Sequence, residues 1–134
     1  MISYFLADIL TRYFRTAAIT KPAGIYVALF TTLPTAAGTG GVEVSGGGYA
    51  RVKAGPSDLD WGTFGNGVIY NAKDITFATP TADWGDSDII GVGLYNALVN
   101  GQPLALAGLN RPLRVKAFDP PVKFGFAELM ILVE

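Results

Sequence analysis

The chain has 134 residues, with ten Lys plus Arg, eleven Asp plus Glu, no His, no Cys and a net charge of −1. Zero Cys excludes a disulfide framework, thiolate catalysis and Cys-bearing metal sites, and zero His removes the usual general base and the commonest transition-metal ligand. Near-neutral charge leaves no electrostatic footprint for a nucleic acid, while the length is enough for one core that buries roughly two thirds of the unfolded surface.

Ile2, Phe5, Leu6, Ile9, Leu10, Tyr13 and Phe14 recur at spacings of three and four. That period predicts an amphipathic helix within residues 1–16, with Ser3 as N-cap and Asp8, Thr11, Arg12 and Arg15 on the polar face. Its apolar face must be buried, either on its own domain or on a neighbouring subunit. Lys21-Pro22 and Gly24 stop the helix, and from residue 24 onward the period becomes strand-like. Gly24 to Thr31 reads as a buried strand. Residues 33–48, rich in Gly and containing Pro34, read as a long loop, unusual enough in a compact domain to be either a functional arm or a segment ordered only by a partner, and an interaction arm supported by contacts to another chain is expected.

Strands are then expected at Tyr49 to Lys53, Val68 to Asn71, Asp74 to Ala78, Asp88 to Tyr95, Leu104 to Leu109, Leu113 to Phe118 and Val122 to Val133. Loops are expected at Ala54 to Gly62 and Thr79 to Ser87, with tight turns at Asn66-Gly67 and Asn100-Gly101. About eight short strands with 17 Gly and 8 Pro between them predict an all-β, antiparallel sandwich or jelly-roll-like fold, one domain of 24–134 behind a short helix. No apolar run approaches the ~18 residues of a membrane span. The start lacks a basic region and is broken by Asp8, Arg12 and Arg15, so it is not a signal peptide, and the mature chain is expected to begin at Met1.

Little chemistry is legible. The Gly-rich stretches 38–41, 46–48 and 91–93 lack the Lys-Ser or Lys-Thr of a phosphate loop and never complete a dinucleotide fingerprint. Asp58, Asp60, Asp83, Asp86 and Asp88 lie beside Trp61-Gly62 and Trp84-Gly85, but neither cluster continues into a calcium loop. No catalytic, cofactor or metal residue is therefore assigned, and no enzyme is expected. The two Trp residues could form a platform for a sugar, or could plug the ends of a sandwich, which is the favoured reading.

The segment Ile25 to Thr32, Pro34-Thr35, Gly38 to Ala50 and Arg51 resembles small tailed-bacteriophage virion proteins often labelled tail-fibre proteins. Asn71, Ile75 to Phe77, Ala82 to Gly85 and Gly91 to Tyr95 resemble the middle of that family, while Asn110 to Lys123 departs from it in being more basic and richer in Pro. The resemblance implies a non-enzymatic virion structural protein, first a head decoration or cement protein on the capsid surface. The alternative is a tail-fibre or tail-adaptor protein involved in host attachment, and a carbohydrate-binding module ranks third. In either virion setting it would be made in the host cytoplasm. The arm residues Thr35, Gly38, Gly40, Gly41, Val42, Glu43, Val44, Gly46, Gly47, Gly48, Tyr49 and Arg51 are the expected contacts. Partners are expected to be other virion proteins such as the major capsid protein, and further copies of the chain. The apolar helix face and the final strand Leu129 to Val133 suggest self-association, with a trimer expected, and neither nucleic acid nor membrane is a partner.

Overall fold

The computed structural model describes residues 1–65 and 67–132. Asn66 of the first expected turn and Val133 of the last expected strand lie outside these residues. The fold is all-β and antiparallel with one short N-terminal helix, and no described helix is long and apolar enough to cross a membrane.

Helix α1 spans Tyr4–Thr11 and runs into a 3-10 turn at Arg12–Phe14. Ser3 caps it: the buried Oγ accepts the Leu6 N–H at 3.0 Å and donates to the Pro103 carbonyl, meeting one of the orphan donors of the first turn. The helix is thus shorter than residues 1–16. Its first two residues are captured by a sheet edge instead, where Ile2 bridges Ala105 and the Leu106 N–H donates to the Met1 carbonyl at 2.8 Å.

The strands of the larger sheet are β1 (Tyr26–Thr32), β2 (Val42–Glu43), β3 (Val52–Lys53), β7 (Ile89–Tyr95) and β8 (Pro103–Leu113). Their order is β2-β1-β7-β8, with β3 also paired to β1. Both faces of β1 are covered. Val27 and Leu29 join the main core with Phe77, Trp84, Ile89 and Leu94, while Ala28 and Phe30 join Tyr95, Leu106 and Leu33 on the other side. That explains the nearly continuous apolar run of this strand. Gly91 and Gly93 share a face, and the space their side chains would take is filled by Leu33 and by Phe30 and Leu106, so larger residues there would displace the packing.

A three-stranded sheet, β10-β5-β4, uses β4 (Trp61–Gly65), β5 (Val68–Asn71) and β10 (Met130–Leu132). A small pair joins β6 (Ile75–Thr76) to β9 (Lys123–Phe124). Hydrophobic residues of all three sheets meet in one cluster, giving a sandwich-like arrangement.

Several boundaries differ from expectation for local reasons. The 33–48 loop contains β2, which pairs Glu43 and Val42 with Phe30 and Thr32 across a bulge. Trp61 and Gly62 begin a strand rather than end a loop. The expected strand Tyr49 to Lys53 contracts to its last two residues because Tyr49 turns inward, and Asp74 to Ala78 contracts to Ile75–Thr76. Strand β8 runs through the proposed break before Leu113 but ends there. The last expected strand is interrupted by a turn around fully buried Asn71. That side chain donates to the Lys73 and Gly125 carbonyls at 2.9 Å and accepts the Leu129 N–H at 2.9 Å. Ten strands rather than eight result among the described residues.

Candidate functional site

The twelve expected contact residues divide into an exposed tip and a root of mixed exposure that turns inward at Val44, Tyr49 and Arg51. At the tip, Thr35 and Thr39 join their hydroxyls at 3.0 Å, and the Gly38 N–H donates to the Thr35 carbonyl at 2.8 Å, closing a small turn. Gly38 sits over the Pro103 ring, Gly41 over Pro34, and Gly40 faces open space with a positive φ of 77°. Val42, although in β2, remains 54% exposed.

The root turns inward. Val44 is in the core and its N–H donates to the Leu29 carbonyl at 3.0 Å. Gly46 accepts the Tyr49 N–H at 2.9 Å, Gly48 lies exposed against Thr81, and Gly47 accepts the Trp84 indole N–H at 3.0 Å. The described contacts of this segment are with its own chain.

Glu43, Tyr49 and Arg51 form the centre of this clamp. Arg51 donates from Nε and Nη2 to the two Glu43 carboxylate oxygens at 2.9 and 2.8 Å, a bidentate fork that adds geometry to charge. Its Nη1 donates to the Ala97 and Asn100 carbonyls at 2.9 and 2.7 Å, and the guanidinium lies 4.2 Å from the Tyr95 ring centre. The Tyr49 hydroxyl donates to Glu43 at 2.7 Å and accepts the Leu29 N–H at 3.0 Å. Burial works against the Arg51 charge, but the hydrogen bond and charge of Glu43 outweigh it and hold its pKa above the usual arginine value. Burial pushes the Tyr49 hydroxyl far up, with Glu43 adding to that effect, and burial raises Tyr95 as well.

No sequence signal pointed to the 97–100 carbonyls as arginine partners. The Asn100-Gly101 turn was legible, and both residues do have positive φ, 58° and 75°. What it faces depends on the long-range pairing of β1 with β3 and β7. Between this turn and the tip lies an open cleft of about 330 Å³ lined by Pro34, Gly38, Gly40, Gly41, Tyr95 and Gly101.

A second surface lies at the N-terminal segment. No residue of α1 is fully buried: Phe5 and Leu6 touch the core, whereas Leu10 is part exposed and Tyr13 and Phe14 largely so. Beneath the helix runs an apolar groove of about 500 Å³ lined by Leu6, Ile9, Ile25, Trp61, Ile69 and Ile131. The Trp residues point into the molecule, Trp84 buried and Trp61 half-buried with its indole N–H on the Ala54 carbonyl at 2.7 Å. Asp83 and Asp88 face Lys116 and Arg114 at 3.6 and 2.9 Å.

A family model described as "Podophage GP4 fiber I protein gp80" matches residues 1–131. A search among curated proteins gives no match.

Proposed function

We propose that the chain, which belongs to the podophage GP4 fiber I protein gp80 family, is a non-enzymatic structural component of the phage tail, a tail-fibre or tail-adaptor protein involved in host attachment. As a member of that family it is a fibre-type phage structural protein. The observation that carries the tail assignment is the match to a fibre family over residues 1–131. It moves the weight from a capsid-surface cement, the first expectation from sequence, to the tail alternative.

The arrangement of polar groups supports a structural role. Glu43, Tyr49 and Arg51, the most chemically capable group of the loop, are spent on one another and on backbone carbonyls. The Trp pair is turned inward and does not offer the exposed platform that a carbohydrate module built on it would need. The tip residues Thr35, Gly38, Gly40, Gly41 and Val42 are the contact we assign to a neighbouring virion protein, since they are exposed and the glycines present backbone groups with no side chain in the way.

Particles assembled without the protein test this function. They should adsorb poorly to cells while releasing their genome at the same temperature as complete particles. Normal adsorption with release at a lower temperature would overturn the tail assignment in favour of a capsid cement.

A further inference from the structure

The larger sheet and the sheet of β10, β5 and β4 each leave an edge open at the same place. On the edge of β8, Met1 and Leu106 exchange backbone hydrogen bonds at 2.6 and 2.8 Å, and the Ser3 N–H donates to the Leu104 carbonyl at 3.0 Å. Ile2, opposite Ala105, therefore turns its own N–H and C=O away from β8, because backbone groups alternate sides along an antiparallel strand. On β10, the Asn71 N–H donates to the Leu129 carbonyl at 3.1 Å, and Met130, Ile131 and Leu132 follow in register opposite Tyr70, Ile69 and Val68. By the same alternation the backbone groups of Ile131 point to β5, whereas those of Met130 and Leu132 point outward. Among the described residues the outward groups of Ile2 and Met130 have no backbone partner. Both edges border one apolar slot of about 250 Å³, whose walls include Met1, Val92, Leu106, Leu129, Met130 and Leu132.

We propose that this slot takes an extended segment of a different virion protein, which adds as a strand to the outer edge of β10 and buries an apolar side chain between Val92, Leu106 and Leu129. The proposal rests on the chain being a phage structural protein, and not on its place in the tail. The groups presented select the occupant. An N–H and a C=O at every second residue are matched by the backbone of an extended polypeptide, and neither a lipid nor a sugar has that repeat. The walls are aliphatic and the Met1 ammonium is spent on the Leu106 carbonyl, so the side chain that enters must be uncharged. Strand β10 carries neither the charge nor the proline that blunts an edge against pairing. The molecule already shows the geometry once, where Met1 to Ser3 add to the edge of β8. A second copy has its strands committed to its own sheets, whereas a different protein with an extended segment to give fills the slot without that loss.

Hydrogen exchange of the wild-type protein, purified and in intact particles, tests the proposal on peptides that contain the Met130 and Leu132 amides. In the purified chain these amides should exchange fast, and in particles their rates should fall at least about tenfold. A variant adds a second reading. Met130→Pro removes an N–H that the chain's own ladder does not use, as an edge position allows. It should leave thermal unfolding and sedimentation of the purified chain unchanged and lower incorporation into particles at least about tenfold, whereas Ile131→Pro, which removes a bond to β5, should unfold at a lower temperature. Fast exchange in particles overturns the proposal, as does normal incorporation of a folded Met130→Pro protein. Slow exchange already in the purified chain overturns it too, because the slot is then filled without a different protein. These results are separate from the tail assignment, which the adsorption of particles decides.

Discussion

At the scale of single residues the Glu43–Arg51 pair is the most demanding element of the molecule. The Arg51 side chain is 6% exposed and that of Glu43 26%, so removing one partner leaves the other charge partly shut away from water. Arg51→Ala should cost roughly 3 kcal/mol, the lower end of what breaking a buried pair costs, read as a shift in the urea midpoint. Arg51→Lys should recover only part of it, because a single ammonium cannot replace the fork. A change under about 0.5 kcal/mol, as for an ordinary surface position, would show that the clamp contributes little. Half-buried Tyr49 and buried Tyr95 set an alkaline limit. In the unfolded chain a tyrosine releases its proton near pH 10, whereas burial holds the proton on Tyr49 and Tyr95 in the folded state. Above that pH the unfolded state binds fewer protons, so stability is complete below about pH 10 and falls as pH rises beyond it. Denaturant titrations across this range should show the fall, and Tyr49→Phe, although less stable at neutral pH, should show a shallower one. An equal slope in both proteins would remove Tyr49 from the explanation.

At the scale of elements, the loop of residues 33–48 behaves as two parts, and substitutions should separate them. Gly47 has a φ of 57°, and a Cβ on it would fall 2.5 Å from the Ala82 carbonyl oxygen and 2.7 Å from the Trp84 ring. Gly47→Ala should therefore cost on the order of 1–3 kcal/mol in thermal or urea unfolding through backbone strain alone, with the displaced indole adding to it. At the tip, Val42→Asp should change stability by less than about 0.5 kcal/mol yet lower incorporation into particles. Normal incorporation of that variant would remove the tip from assembly. The same division shows what was legible in the sequence. Strand β5 was read at its true limits, and Ser3 at the head of α1 was read correctly, because alternation and capping are local signals. The inward turn of Val44, Tyr49 and Arg51 was not, since it depends on Leu29, Trp84 and the 97–100 carbonyls, all distant in the chain. The split of the final strand was hidden for the same reason: Asn71 reaches across 54 residues to Gly125 and 58 to Leu129. The packing of Phe64 and Phe126 on Tyr70 went unread because the three come together only when β4, β5 and the turn before β10 are assembled.

At the scale of the whole molecule, an antiparallel β framework carries three different surfaces, a Gly-rich tip, an apolar groove under α1 and the exposed rings of Phe64 and Phe126 against Tyr70. Little of this is electrostatic, given 16% charged residues and a net charge of −1. Incorporation of the chain into particles should consequently depend weakly on salt, in contrast to partners steered by opposite charge. Incorporation measured at low and high ionic strength checks that expectation, and its loss at moderate salt would oppose it. The family match gives the fibre type, and the place in the particle is the central claim built on it. A reconstruction of the intact phage with this chain fitted to density tests that claim most directly. The account predicts density for the chain on the tail, with the tip of residues 35–42 against a neighbouring tail protein; density repeated over the capsid lattice instead would contradict it.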